Sequence, residues 1–168
     1  MAATLSTVRA LIYWEYAKLI AGEAVGQRDA FRFVNHTFRR LLEQRISPSA
    51  ILRENQALFR AGEVCVYCGA TEQLQWDHIV PLALGGPDHF DNLVRACSHC
   101  NRTKADRDPY RWYASRKEID RIPRLVLGKF LKLVFAEYDR RGMLDDPAFM
   151  QEHRIERITL STVFTLTP

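Results

Sequence analysis

Two Cys-x-x-Cys pairs constrain this chain more than any other feature of its sequence. Cys65 and Cys68 form the first pair, Cys97 and Cys100 form the second, and the chain has no other cysteines. Each pair brings two thiolates onto one tight turn, and two pairs complete the tetrahedral sulfur environment of a structural zinc ion. The loop between the pairs is longer than the usual run of about 15 to 20 residues, which leaves room for further chemistry within it.

Length and composition favour zinc over disulfides as the role of the cysteines. A chain of 168 residues that is 47% hydrophobic can bury a core without covalent cross-links. The apolar run from residue 10 to 25 is interrupted by Glu15, Lys18 and Glu23, so it fits neither a signal peptide nor a membrane span. The sequence therefore predicts a soluble, cytoplasmic protein whose cysteines are reduced and bind metal.

Charge is distributed unevenly along the chain, whose formal net charge is +4. Residues 61–110 carry four Lys or Arg against seven Asp or Glu, whereas residues 1–60 carry nine against five and residues 111–168 carry eleven against eight. An acidic excess on the cysteine-bearing segment suits a cation site flanked by basic surfaces. Ordinary solvated helix faces explain the individual charges equally well.

Hydrophobic periodicity predicts a mainly helical α+β protein in three parts. The parts are a helical N-terminal region at 1–62, a central unit at 63–108 and a helical C-terminal region at 109–168. The central unit is predicted to be a ββα arrangement, with strands at 74–81 and 92–96 and a helix at 98–107. Further helices are expected at 4–21, 29–46, from Ser47-Pro48 to near Gly62, at 110–120, at 123–141, and from Asp146-Pro147 onward.

The last residues of the chain have a strand pattern. Between Arg157 and Thr167, apolar side chains alternate with threonine and serine over most positions. A strand needs a partner for its backbone groups, and two arrangements provide one. The strand pairs within its own chain, or it pairs with the same strand of a second copy and makes a homodimer.

Several further motifs lie in order between and after the cysteine pairs. They are Asp77-His78-Ile79-Val80-Pro81, Gly85-Gly86, Asn92-Leu93 and Cys100-Asn101-x-x-Lys104. Together with the cysteines, they resemble the HNH, or ββα-metal, endonucleases over roughly residues 63 to 108. The resemblance implies a metal-dependent nuclease that hydrolyses DNA phosphodiester bonds, with double-stranded DNA as its partner.

The resemblance also implies roles for four residues. His78 stands where the family has its general base, and imidazole is suited to accept a proton near neutral pH. Asp77 and Asn101 stand where the family holds a catalytic Mg²⁺ or Mn²⁺ ion, which prefers oxygen donors. Asn92 stands where the family has an asparagine that bonds across the loop and holds the histidine in place. Strand alternation places Asp77 and His78 on opposite faces, so both reach one phosphate only if the strand twists or breaks there.

The predicted helix after the second cysteine pair connects zinc to the expected catalytic residues. Cys97, Cys100, Asn101 and Lys104 are spaced i, i+3, i+4 and i+7, which places them on one helix face. A zinc ion would hold this helix, and the helix would hold Asn101.

A basic stretch in and after this helix is the predicted phosphate-contacting surface. Its members are Arg102, Lys104, Arg107, Arg111, Arg116 and Lys117. Tyr110, Trp112 and Tyr113 are interleaved with them, and we expect these aromatics to pack in the core rather than to stack on bases.

A second interpretation accounts for the cysteines alone. A zinc-stabilised module that has lost catalysis and only binds DNA, or only joins protein surfaces, needs the two Cys-x-x-Cys pairs. It does not need Asp77, His78, Asn92 or Asn101. Hydrolysis requires a divalent cation and His78, whereas binding requires neither, so the two interpretations are separable.

Overall fold

The computed structural model describes residues 5–43 and 63–167. Within them the chain is mainly helical with one small sheet, as the sequence predicts for an α+β protein. The expected helix from Ser47-Pro48 to near Gly62 lies outside the described residues. The elements are α1 (Val8–Val25), α2 (Phe31–Leu42), β1 (Leu74–His78), β2 (Leu93–Cys97), α3 (Ser98–Lys104), α4 (Pro109–Ser115), α5 (Arg124–Arg140) and α6 (Pro147–Glu152), with 3₁₀ turns at Leu82–Leu84, Phe90–Asn92, Ile119–Arg121 and Arg157–Thr165.

Helix α1 begins at an N-cap, where the Thr7 hydroxyl accepts a hydrogen bond from the Ala10 N–H group. The helix continues through Gly22, where the sequence predicts its end, and stops at Gly26. Gly22 serves a different purpose, because a Cβ atom there would lie 2.9 Å from the Arg28 side chain. The missing side chain lets the Arg28 guanidinium pass and donate to the Asp120 and Ile122 carbonyls at 2.9 and 2.7 Å.

The hydrophobic core lies where α1 packs against α2 and α5. Tyr110 on α4 enters the same core, and its hydroxyl donates to the buried Glu15 carboxylate of α1 at 2.6 Å. Trp112 and Tyr113 are also buried, so the aromatics of α4 pack inside the protein as expected. Helix α4 is thereby fixed to the N-terminal helices.

The ββα unit forms where the sequence predicts it, with shorter elements. Strands β1 and β2 are antiparallel, from Leu74 opposite Cys97 to His78 opposite Leu93. Strand β1 ends at His78 rather than near Pro81, because the Asn92 side chain bonds the N–H and C=O groups of Val80 in place of a neighbouring strand. The end of β1 at His78 is the strand break that the sequence analysis required.

Helix α3 follows β2 directly and ends three residues earlier than predicted. Its last residue is Lys104, and Ala105 has a positive φ of 50°. The Arg107 side chain turns back and donates to the carbonyls of Lys104 and Thr103 at the end of the helix. Arg107 therefore caps α3 instead of extending it.

The predicted C-terminal strand is wrong. Residues Arg157–Thr165 form a 3₁₀ helix that opens with a capping box between Glu156 and Thr159. Threonine recurs every third residue, and the hydroxyls of Thr162 and Thr165 donate to the carbonyls three residues earlier at 2.6 and 2.8 Å. These local bonds satisfy backbone groups that a strand would offer to a partner. Both arrangements considered for this strand, pairing within the chain and a homodimer through strand pairing, lose their basis in the described residues.

Candidate active site

The sulfur atoms of the four cysteines meet at one point in the structure. Their Sγ atoms all lie within 4.8 Å of one another, and those of Cys68 and Cys97 are 3.7 Å apart. A tetrahedral zinc ion with Zn–S bonds of about 2.3 Å requires sulfur atoms about 3.8 Å apart. The four cysteines are therefore positioned to form a zinc site, as their spacing predicts.

Backbone N–H groups prepare this cluster for thiolates. The Cys100 N–H group donates to Cys97 Sγ at 3.5 Å, and this bond is the main reason that the pKa of the Cys97 thiol falls to about 7. Burial raises the pKa of the Cys100 thiol, so a cation at the centre is needed to hold all four thiolates together. Around the first pair, Gly69 takes a positive φ of 79° and its N–H group donates to the Cys65 carbonyl, which closes the turn.

An open cleft of about 300 Å³ lies between the end of β1 and helix α3. Asp77, His78 and Asn101 all line it, although strand alternation alone would separate the first two. Both reach the cleft because His78 is the last residue of β1. The structure therefore brings three of the four predicted catalytic residues to one cleft.

The Asp77 carboxylate is buried and held from two sides. Its Oδ1 atom accepts a hydrogen bond from Lys104 Nζ at 2.9 Å, and its Oδ2 atom accepts one from the Tyr67 hydroxyl at 2.7 Å. Burial, and then the Asp77 charge, raise the pKa of Tyr67, so its hydroxyl stays a donor. Lys104 Nζ also donates to the His78 carbonyl at 2.7 Å.

Lys104 corrects one prediction from the sequence. We expected it on a surface that contacts phosphate, but its side chain is only 1% exposed and ion-paired with Asp77. The helix face that it shares with the cysteines points inward, toward β1. Lys104 still lines the cleft beside Asn101.

The His78 ring is positioned by a carboxylate from the loop after β1. His78 Nε2 lies 2.9 Å from Asp88 Oδ1, in an ion pair or hydrogen bond that depends on the ring's protonation. The fully buried Asn92 holds this loop closed: its Nδ2 atom donates to the carbonyls of Val80 and Pro87 at 2.8 and 2.9 Å, and its Oδ1 atom accepts from the Val80 N–H group at 2.8 Å. Asn92 therefore acts on the loop backbone, and Pro87 connects it directly to Asp88.

The cysteine cluster and the cleft fall within one segment that a known family describes. Residues 65–107 match the HNH endonuclease family. The HNH resemblance seen in the motifs of this segment is thus confirmed.

A curated relative carries a similar HNH segment. The chain is 39% identical over 70 residues to the CRISPR-associated endonuclease Cas9 of Actinomyces naeslundii. The match covers 39% of this chain and 6% of that protein. No solved structure matches the chain. Among residues 5–43 and 63–167, no helix combines the length and apolarity needed to cross a membrane.

The other predicted DNA contacts lie on or beside helices α3 and α4. Arg102 and Lys117 are exposed. Arg111 is half-buried and pairs with Asp108 at 3.4 Å. Arg116 is exposed, pairs with Glu118 at 2.7 Å and lies over the rings of Trp112 and Tyr113. Arg107 is occupied by the α3 cap and by the Ser115 hydroxyl at 3.0 Å.

Two residues of the candidate site were not predicted from the sequence. Tyr67 lies between the two cysteines of the first Cys-x-x-Cys pair, a position to which the motif assigns no role. Asp88 lies in a loop after Gly85-Gly86-Pro87. Tyr67 bonds Asp77 ten residues later, and Asp88 bonds His78 ten residues earlier. Neither bond follows a helical or strand repeat, so periodicity could not reveal it.

Proposed function

We propose that this protein is a metal-dependent endonuclease that hydrolyses DNA phosphodiester bonds. The observation that supports this best is the convergence of Asp77, His78 and Asn101, from β1 and α3, on one open cleft inside a segment of the HNH family. Residues 63–108 would be the nuclease core, with one region before it at 1–62 and one after it at 109–168.

His78 is the proposed general base. Asp88 bonds its Nε2 atom, which leaves the other ring nitrogen to accept a proton from the attacking water. The carboxylate also stabilises the imidazolium that forms during proton transfer. Asn92 is the residue that positions this pair, because it closes the loop that carries Asp88.

Asp77 and Asn101 would hold a divalent cation, Mg²⁺ or Mn²⁺. The shared position of Asp77 and Asn101 on one cleft supports this assignment, and the Lys104 ammonium group 2.9 Å from Asp77 Oδ1 is the group that the cation would displace. When bound, the divalent cation would neutralise charge that develops at phosphorus and on the leaving oxygen. The cleft is open to solvent, so a phosphate group can approach these oxygen donors.

Zinc at Cys65, Cys68, Cys97 and Cys100 would have a structural role. All four protein ligands are sulfur atoms, which leaves no open position for substrate. Duplex DNA would lie across α3 and α4, with the exposed Arg102 and Lys117 as contacts to phosphate. Arg107, Arg111 and Arg116 would contribute positive potential from their paired positions.

A catalytically inactive module that binds DNA or protein through the same zinc-stabilised surface is the second candidate. One observation favours it: both oxygen atoms of Asp77 already accept hydrogen bonds, from Lys104 and from Tyr67. In such a module, Asp77 would serve only to join β1, α3 and the first cysteine turn.

Plasmid cleavage tests the two candidates. Zinc-loaded protein is incubated with supercoiled plasmid with no added cation, with Mg²⁺ or with Mn²⁺, and nicked and linear products are resolved on a gel. We expect cation-dependent cleavage that His78→Ala abolishes while DNA binding is retained. His99→Ala is the matched control, because His99 is exposed on the same unit and does not line the catalytic cleft. Intact plasmid with every cation, together with retained binding, would favour the inactive module.

A further inference from the structure

One carboxylate in the proposed active site contacts an ammonium group in the structure and would hold a divalent cation in the proposed function. Asp77 Oδ1 accepts a hydrogen bond from Lys104 Nζ at 2.9 Å, and both side chains are almost completely buried. In the proposed function, the same carboxylate holds the divalent cation. An ammonium group in contact with the carboxylate neutralises its charge, so a second cation binds there only weakly while the ammonium group remains.

We propose that Lys104 is a positioning residue that neutralises Asp77 until the divalent cation displaces its ammonium group from Oδ1. This inference rests on the proposed function, because it concerns the cation that the function requires. It explains why the Lys104–Asp77 ion pair is buried, which a lysine that only contacts phosphate at the surface would not require. It also predicts that the protein binds the cation less tightly than its ligands alone would allow.

Tyr67 keeps the carboxylate in place during this exchange. Its hydroxyl bonds Oδ2 at 2.7 Å, on the oxygen that Lys104 does not use. The Tyr67 ring is itself fixed, packed edge-on against Trp112 with ring centres 4.9 Å apart. Departure of the ammonium group therefore frees Oδ1 without releasing Asp77 from its position.

The displaced ammonium group stays beside the cleft. Lys104 Nζ also donates to the His78 carbonyl at 2.7 Å, which tethers it next to the proposed base. Lys104 lines the cleft together with Asn101, so a phosphate group bound there would lie near the released positive charge. After cation binding, the Lys104 ammonium group would thus interact with the substrate phosphate instead of with the Asp77 carboxylate.

Mn²⁺ binding in the absence of DNA tests the inference directly. Free Mn²⁺ is measured by electron paramagnetic resonance during titration of the zinc-loaded protein, in the wild type and in Lys104→Gln. Removing the ammonium charge should lower the dissociation constant on the order of tenfold. Lys104→Arg keeps the charge and should bind Mn²⁺ as weakly as the wild type. Arg121→Gln, which removes a charge from an exposed position away from the cleft, should also leave the dissociation constant unchanged.

The outcomes separate this inference from the proposed function. If Lys104 had only a structural role, the Lys104→Gln protein would bind Mn²⁺ as tightly as the wild type or more weakly. Either of these results would overturn the inference. An equal gain in Lys104→Arg would also overturn it, because charge would not be the cause. Asp77→Asn provides the remaining control and is made in both the wild-type and the Lys104→Gln backgrounds. If it leaves Mn²⁺ binding unchanged in both, the proposed function and the inference are overturned together.

Thermal unfolding gives a second readout that is independent of the titration. Without Mn²⁺, Lys104→Gln should lower the melting temperature because it leaves the Asp77 carboxylate buried without its cation. Added Mn²⁺ should raise the melting temperature of the variant by more than that of the wild type, because tighter binding stabilises the folded state more. An equal or smaller increase in the variant would contradict the exchange.

Discussion

His78 Nε2 lies 2.9 Å from Asp88 Oδ1, and this contact joins the last residue of β1 to the loop that follows it. The Asp88 side chain is largely exposed, and its carboxylate can orient the ring and stabilise the imidazolium. We predict that Asp88→Asn lowers the cleavage rate by about 10- to 100-fold, less than the roughly 10²–10⁴-fold that a general base itself contributes, because Asp88 only orients that base. Single-turnover cleavage of a labelled duplex at saturating Mn²⁺ would measure this.

Asp106→Asn is the matched control for Asp88. Asp106 is also exposed and also lines the cleft, but it makes no contact with His78 in the structure. Its substitution should change the rate much less. Equal losses in the two variants would mean that the negative charge of the cleft, rather than the His78 contact, determines the rate.

Asn92→Ala should destabilise the fold strongly. The substitution leaves the Val80 N–H and C=O groups and the Pro87 carbonyl without their buried partner. Unsatisfied buried polar groups of this kind cost about 2–4 kcal/mol in total. Urea unfolding would measure the loss, and Asn35→Ala on the exposed face of α2 should change stability by less than about 0.5 kcal/mol. A loss no larger than that of Asn35→Ala would contradict the role of Asn92 in closing the loop.

Zinc removal should unfold the segment that contains the cysteines. Burial raises the pKa of the Cys100 thiol, so the protein without metal must leave thiols buried that the ion would hold as thiolates. We expect one zinc ion per chain by metal analysis, and a large fall in melting temperature on chelation or in Cys97→Ser. A melting temperature that neither treatment changes would refute the structural zinc.

Glu137 on α5 should make stability depend on acidic pH. Hydrogen bonds from Arg140 and then Arg141 lower the pKa of Glu137 to about 2. Because the folded pKa lies below the unfolded value of about 4.3, the contribution is complete above that value and is lost as pH falls toward 2. Glu137→Gln should therefore cost about 0.5–1 kcal/mol at pH 6 and almost nothing at pH 2.

Urea unfolding at both pH values would test this dependence, with Glu152→Gln as the control. Glu152 is exposed at the end of α6. Its substitution should give the same small change at pH 6 and at pH 2. A Glu137→Gln cost that does not shrink in acid would show that the carboxylate charge is not its source.

The ββα unit was predictable because its sequence contains motifs of metal-binding and ionisable residues in addition to a hydrophobic pattern. The paired cysteines predicted the metal cluster, and the Asp77-His78 motif together with Asn101 predicted the residues of the cleft. The positions of β1, β2 and α3 were predicted to within a few residues. Their ends were not, because Asn92 and Arg107 bond the backbone from outside the elements that they terminate.

The errors in the prediction arose where side chains bond across the fold or back to their own backbone. Lys104 has the sequence pattern of a basic helix surface, and only its distance to Asp77, 27 positions earlier, reveals its burial. The alternation from Arg157 to Thr167 resembles a strand because polarity alone does not report that threonine hydroxyls are bonding local carbonyls. In both cases, only the contacts in the structure reveal the conformation of the residues.

Gly85 gives the C-terminal 3₁₀ helix an influence on the cleft. A Cβ atom at Gly85 would lie 2.5 Å from the Phe164 carbonyl, so the loop that leads to Asp88 rests directly on this helix. The same helix bonds the other side of the unit, where the Ser161 hydroxyl donates to the buried Asp108 carboxylate at 2.7 Å. A fragment cut to the family-matched residues 65–107 would therefore lack the support of the loop that carries Asp88, and a minimal version of the proposed nuclease should retain residues 108–167.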